Sequence, residues 1–526
     1  MRRKLAFPVA VFCATVVMMA VQKPVFMAYY AVEASGAGFR GWIDVLWHGL
    51  TLDLTVAGYV TVLPILVTLF SLWLRLPEKV WRGVLTAWFV LVAVVTAVIF
   101  AVDSALYEHW GFRIDATVLI YLTDPEEAMA SVDFWLGVRQ TLLAALYAVG
   151  MIWVYRRILG VFDGRPVGWR VASLGSVAVV MLAGFDFLAI RGGTGASVAN
   201  VSKVYFSPTQ FLNHAATNPV FSFLSSLGDR VDYADEYPFF EEPVRAAKFD
   251  ALRGNGPAAG PTEPVLNTAR PNVVIVILES FARTVMDAEV GGEPVMPYMQ
   301  RLKREGVWFE NFFANSFRTD RGEVAILSGF PAQTRMSVMK LPAKSRSLPS
   351  VARSLAGEGY ATSFAYGGDL NFTNQASYMY ATGWQELIWQ KDLRFDAPAA
   401  DWGYDDALMC DWFADRVIAL SDAGKPFLAG LLTLSSHTPF DVPYSKFDDK
   451  VLNAMAFSDE CVGKMIDRLK ASPAWKDLLV VLVADHGYPY PRTLTYNEPL
   501  RHRIPMIWTG GAVAEPRVVE DYAAQI

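Results

Sequence analysis

The chain divides by the length of its apolar runs. Over the first 190 residues the runs are long, and beyond about 270 they are short and alternate with polar, helix-like stretches. A helix needs about 20 predominantly apolar residues to cross the hydrocarbon core of a bilayer. Five stretches meet that length, roughly 5–31, 47–74, 81–102, 134–155 and 169–190, and predict a transmembrane helical bundle over 1–190. Arg2, Arg3 and Lys4 before the first run also fit a signal peptide. No small-x-small cleavage site follows, however, and the run continues through Phe26, Tyr29 and Tyr30, which favours a membrane span.

The basic residues orient these spans. Arg2, Arg3 and Lys4, then Arg75, Lys79 and Arg82, then Arg156, Arg157, Arg165 and Arg170 fall on one side. The opposite loops hold Arg40, and Arg113 among Glu108, Asp115, Asp124, Glu126, Glu127 and Asp133. Basic loops stay cytoplasmic, so the N-terminus is expected inside and everything after about 190 outside. His48, Asp53 and Asp186 lie in or near the spans. An intramembrane charge is a functional candidate by default, but a place near the outer interface is the simpler expectation for all three.

Residues 191–269 read as a juxtamembrane connector and linker. Tyr205, Phe206, Phe211, Phe221 and Phe223 suit either an interfacial helix or a plain packed connector. The Gly- and Pro-rich stretch 254–264 marks a linker.

From Arg270 the period changes. Val273 to Leu278, Phe427 to Leu434 and Leu478 to Val483 are short apolar runs of buried-strand type, and helical stretches at 297–305, 348–358 and 405–420 alternate with them. This alternation predicts an α/β domain with a largely parallel sheet over 270–526. Polar clusters follow each run: Glu279-Ser280, then Ser435-Ser436-His437-Thr438-Pro439-Phe440, then Asp485-His486-Gly487. Sites in open α/β sheets lie off the carboxyl ends of the strands, so the three clusters are expected to converge. A fourth segment, Asn315 to Glu323, carries Thr319 between Arg318 and Arg321 just before a helix. There a hydroxyl is either an N-cap or a nucleophile beside a phosphate-binding helix terminus.

Composition narrows the chemistry. Apolar residues make up 53% and charged residues 19%, and the net charge of −6 leaves no basic footprint for nucleic acid. The three cysteines, Cys13, Cys410 and Cys461, form no zinc-type cluster, so a metal has to be held by oxygen and imidazole ligands.

With PNVVIVILES, SFRTDRGE, SSHTPF and VADHG in that order, the sequence resembles the lipoteichoic acid synthase and phosphoglycerol transferase family of the alkaline phosphatase and sulfatase superfamily. The resemblance covers about 270–526 by motif, and the five-span layout agrees with it. It implies a sulfatase-like domain in which Glu279, Thr319, Asp485 and His486 bind one divalent metal, manganese foremost and magnesium as a substitute. Thr319 is then the nucleophile, and His437 contacts the phosphate or protonates the leaving group. It further implies phosphatidylglycerol as donor and a glycan or growing polyglycerol-phosphate chain as acceptor. The expected setting is a bacterial inner membrane with an extracytoplasmic, periplasmic catalytic domain.

The sequence departs from the family where Gram-positive members carry His and then Trp-x-Arg. Here Tyr366, Asp369, Phe372 and Asn374 stand in the head-group segment, which is otherwise simply a turn after a strand. His502 is either a phosphate contact or a cap of the following strand. Arg318 and Arg321 are either a phosphate clamp or surface charges. The resemblance also leads to the expectation of a further helix after Glu520 to Gln525, which makes the chain short of the family's C-terminus. Competing readings are a phosphoethanolamine transferase, a sulfatase-type hydrolase and a non-catalytic membrane sensor. The few cysteines and SSHTPF weigh against the first. The lack of a C/S-x-P-x-R motif weighs against the second, and the full ligand set against the third.

Overall fold

A computed structural model of the chain describes residues 1–122, 134–229, 239–252, 264–333, 336–400, 402–495 and 497–526. Residues 254–263 of the linker, and the acidic loop residues Asp124, Glu126, Glu127 and Asp133, lie outside the described residues. The chain forms two compact units. One comprises Met1–Ser226 with Arg318–Asp405 and Ile526, the other Leu227–Phe317 with Asp406–Gln525.

In the first unit, five helices among the described residues are long and apolar enough to cross a membrane: Arg2–Tyr29, Ala31–Trp73, Glu78–Trp110, Phe134–Leu159 and Trp169–Arg191. The chain is a membrane protein on this evidence. The second of these opens with a short turn of helix and the 3-10 turn Ser35–Ala37, after which Gly38 takes φ 58° and begins the long helix Gly38–Trp73.

Asp53 has a partner that the sequence did not announce. It is fully buried, and both its oxygens lie 2.6 Å from Lys23 Nζ of the first helix, while Asn218 Nδ2 donates to Oδ1 at 2.9 Å. A second buried pair joins Arg113 to Asp103 at 3.0 Å, with the guanidinium 4.1 Å from the centroid of the Phe26 ring. Inside hydrocarbon each charge needs such a partner. The connector packs on this bundle: Tyr205, Phe211 and Phe221 are buried, and Phe211 stacks on Phe26 at 5.9 Å. The first unit also holds the strand Ala361–Tyr366, paired in parallel with Glu386–Trp389.

In the second unit, six strands run in the order Arg517–Ala524, Val307–Phe313, Met506–Thr509, Leu478–Ala484, Asn272–Leu278, Phe427–Leu432. All neighbours are parallel except Met506–Thr509, which is antiparallel to both sides. Val274, Val276, Ile277, Leu278, Leu428, Leu431, Val480 and Leu482 are wholly buried. Consecutive burial on both faces is what an interior parallel strand requires, and it explains the unbroken apolar runs. The expected layout of five apolar helices followed by an α/β domain with a mostly parallel sheet is therefore present. The helices Asp406–Asp422 and Lys450–Lys470 pack against each other beside this sheet.

Candidate active site

Parallel register builds the site. Leu278 pairs with Ala484, so the next residues, Glu279 and Asp485, leave two neighbouring strands side by side. Ser280 then takes a left-handed turn (φ 59°) that carries the chain off the sheet. Its backbone N–H donates to Asp485 Oδ1 at 2.8 Å, and its hydroxyl donates to Glu279 Oε1 at 2.6 Å. The His486 N–H also donates to Asp485 Oδ1, at 2.7 Å. On the other flank, the Thr433 hydroxyl accepts from the Glu279 N–H, and the Ser436 hydroxyl donates to the Glu279 carbonyl. Both carboxylates are thereby fixed in place.

Glu279, Asp485 and His486 present ligand atoms within 4.8 Å of one another. His486 Nε2 lies 3.5 Å from Asp485 Oδ2 and 3.8 Å from Glu279 Oε1. Glu279 and Asp485 are 3% and 0% exposed, so the two acids share a nearly dry site. Burial, followed by the charge of Asp485, pushes the Glu279 carboxyl up to about 7, while His486, His437 and the Ser280 hydrogen bond pull it back. Two carboxylates this close cannot both ionise cheaply without a cation. Two acid oxygens and one imidazole form a donor set that fits a hard or borderline divalent ion.

His437 is held beside this group by its loop. Asp406, 1% exposed, accepts from the N–H groups of Leu434 and Ser435 and from the Ser458 hydroxyl. His437 Nδ1 lies 2.7 Å from the Thr438 carbonyl, which can only accept. Nδ1 therefore donates in this contact. His502 ends the short turn Pro499–His502, and its carbonyl accepts from the Ala314 N–H. That turn presses on Gly487, where a Cβ would meet the Arg501 carbonyl at 2.3 Å, so only glycine admits it.

The remaining expected residues belong to the other unit. Thr319 is the first residue of the helix Thr319–Ser328; Arg318 holds the cap position and makes no side-chain capping bond. The N-cap reading of Thr319 therefore does not apply. Arg318 is exposed and Arg321 buried. Tyr366 ends its strand, 9% exposed. Asp369 accepts from the Ser197 hydroxyl at 2.7 Å and from the backbone and side-chain nitrogens of Asn371, both at 2.9 Å. The Asn374 amide donates to the Lys340 carbonyl, and its backbone takes φ 67°. Phe372 packs edge-on against Trp402.

Sequence reasoning placed Ser280 beside Glu279 without a role, and missed Thr433 and Asp406, which act on backbone N–H groups of residues distant in sequence. Trp389 and Trp402 were also missed, because neither lies in a motif.

Residues 271–526 match the family described as Sulfatase. The chain is 26% identical over 240 residues to phosphoglycerol transferase I of Xanthomonas campestris pv. campestris, covering 41% of this chain and 34% of that one. It is also 26% identical over 247 residues to phosphoglycerol transferase I of Salmonella arizonae, covering 43% and 32%. The chain thus spans about a third of the length of the curated relatives it matches. Among solved structures, the lipoteichoic acid synthase LtaP from Listeria monocytogenes aligns with TM-score 0.49 and 22% identity, over 53% of this chain and 72% of that one. Residues 271–526 are thus similar to the sulfatase family, in a membrane protein similar over that region to the phosphoglycerol transferases.

Proposed function

We propose that this protein is a phosphotransferase that moves a glycerol-phosphate group from phosphatidylglycerol to a glycan or polyglycerol-phosphate acceptor. The observation that carries the reading is the convergence of Glu279, Asp485 and His486 at the ends of adjacent parallel strands of a sulfatase-like domain. The relatives named phosphoglycerol transferase support the group transferred. The positive-inside pattern supports a cytoplasmic N-terminus and a periplasmic domain in the inner membrane of a bacterium.

In this reading Glu279, Asp485, His486 and Thr319 hold one divalent ion, manganese foremost with magnesium as a substitute. Such an ion lowers the pKa of a hydroxyl and neutralises charge developing on a phosphoryl group. Thr319 Oγ attacks phosphorus, and the bond to the diacylglycerol oxygen breaks. The Thr319 hydroxyl proton goes to solvent, and His437 gives a proton from Nε2 to the leaving oxygen and takes one back from the acceptor hydroxyl in the second step, when Thr319 Oγ is reprotonated from solvent; such acids contribute roughly 10²–10⁴-fold. An acceptor hydroxyl then gives up its proton and attacks the glycerophospho-threonine, which releases Thr319 Oγ. The N-terminus of the helix that Thr319 opens favours the negative charge of the phosphoryl group. Arg318 and Arg321 flank the nucleophile and bind the phosphoryl oxygens, and His502 steadies the same group.

The test is the full chain in detergent with manganese and a fluorescent phosphatidylglycerol, run beside Thr319→Ala. Metal-dependent diacylglycerol release that Thr319→Ala abolishes is expected. Turnover of phosphatidylethanolamine instead would move the assignment to a different head group, and no turnover of either lipid would overturn it.

A further inference from the structure

The first unit contains a cavity of about 560 Å³, inside the roughly 300–1,000 Å³ range of small-ligand sites. Its lining includes five aromatic rings: Tyr366, Phe372, Trp389, Trp402 and Tyr404. Thr194, Asn371, Gln390 and Lys391 add hydroxyl, carboxamide and amine groups. Local backbone packing builds it. Tyr366 and Trp389 are direct partners in a parallel strand pair, so both rings leave the sheet at one level. The Tyr404 N–H donates to the Gly367 carbonyl, and Gly403 (φ 141°) comes so near that a Cβ would stand 2.2 Å from that oxygen. This close approach sets Trp402 and Tyr404 across from Tyr366. The Asp369 clamp on Ser197 and Asn371 fixes the connector wall.

The charge of the lining decides what it takes. A phosphate head group calls for charge-assisted, preferably forked, donors. Among the described residues the lining holds one cation, Lys391, and one carboxylate, Asp369, and so has no excess of positive charge. The Lys391 ammonium lies 4.7 Å from the centre of the Trp389 ring. Arg191, at the head of the connector, directs its guanidinium to the carbonyls of Gly193 and Gly195. A hexopyranose offers the complement of this lining. Its C–H faces lie against aromatic rings, and its hydroxyls pair with amide, hydroxyl and amine groups, which have to be satisfied once water leaves.

We propose that this cavity binds a neutral glycan built of hexopyranose units, with Trp389 and Trp402 as its stacking platforms. That the bound glycan is the acceptor rests on the transferase reading; the binding itself does not. On this assignment Tyr366 and Phe372 belong to the sugar subsite rather than to the glycerol-phosphate grip.

The experiment is calorimetric titration of the metal-free full chain in detergent with maltohexaose, laminarihexaose and cellohexaose, and separately with glycerol 1-phosphate. Diacylglycerol release by the unsubstituted chain is measured apart, so failure of the transferase reading shows there and not in the titration. Saturable binding of at least one hexasaccharide is expected. Trp402→Ala and Trp389→Ala should each weaken it about tenfold or more, as loss of an aromatic anchor does. Trp402→Phe, which keeps a ring face, should recover most of the affinity and controls for misfolding. Binding of none of the three sugars, binding indifferent to both alanine variants, or glycerol 1-phosphate binding lost in those variants would each overturn the proposal.

Discussion

Asp53 and Asp485 are both wholly buried aspartates, and their surroundings differ in kind. Asp53 meets an ammonium at 2.6 Å on both oxygens and a carboxamide at 2.9 Å. Asp485 meets a second carboxylate and an imidazole, and the backbone N–H groups of Ser280 and His486 donate to its Oδ1. The membrane bundle satisfies its charge from within, and a satisfied buried pair is part of the structure. The strand ends gather two like charges beside an imidazole in a donor set that fits a cation. Natural proteins tolerate such local conflict chiefly at functional sites.

The comparison breaks first, and hardest, at Asp485. Asp485→Asn keeps an oxygen for the Ser280 and His486 N–H groups but removes the charge that attracts a cation. We expect turnover to fall by about 10³-fold or more, since loss of charge stabilisation at the reacting group alone costs 10²–10³ and the ion is lost with it. Manganese affinity measured by calorimetry should fall with it. Stability should move the other way: without metal, the variant should unfold at an equal or higher temperature than the parent, because a like-charge contact has gone. A clear drop in metal-free stability would mean that Asp485 is structural, as Asp53 is.

The bundle predicts the opposite sign. Lys23→Met leaves Asp53 buried with a carboxamide and no cation, and breaking a buried pair in this way costs about 3–5 kcal/mol. Lys23→Met with Asp53→Leu should recover most of that loss. Denaturant or thermal unfolding in detergent reads both. A double variant as unstable as the single one would show that the pair is not the unit of stability.

These two regions were not equally legible. Glu279 and Asp485 each end an unbroken apolar run, and a run of buried-strand type announces both the strand and the residue at its carboxyl end. Thr319 stood out through SFRTDRGE, although only the structure separated it from a cap by giving that position to Arg318. Lys23 carried no signal. It is one cation in an apolar helix, its partner lies 30 positions away on another helix, and single-chain periodicity holds no information on such pairing. Asp53 was therefore read without its partner. The strands Val307–Phe313, Met506–Thr509 and Arg517–Ala524 escaped notice for a related reason. They lie toward one edge of the six-strand order, and polar residues such as Glu310, Asn311, Glu520 and Asp521 interrupt their apolar pattern. Trp389 and Trp402 became a pair only when a strand register and a glycine contact brought their segments together.

The smallest expected effect tests whether the rule of satisfied acids holds outside the bundle. Asp369 resembles Asp53 in that both oxygens are engaged, Oδ2 by the Ser197 hydroxyl and Oδ1 by Asn371. Unlike Asp53, it has only neutral donors at hydrogen-bond distance, and its neighbour Ser197 is buried on the connector. Ser197→Ala removes one donor to a charged acceptor, a loss of about 1.5–3 kcal/mol when water cannot replace it and less where it can. Because the cavity beside Asp369 admits water, we expect the lower end of that range. Ser197→Ala with Asp369→Asn gives the coupling between the two through a double-mutant cycle in thermal unfolding. A coupling near zero would place Asp369 with the strand-end acids, as a charge whose hydrogen bonds do not hold the connector. A coupling of about 1 kcal/mol would place it with Asp53, as a carboxylate whose function is to hold the wall of the cavity.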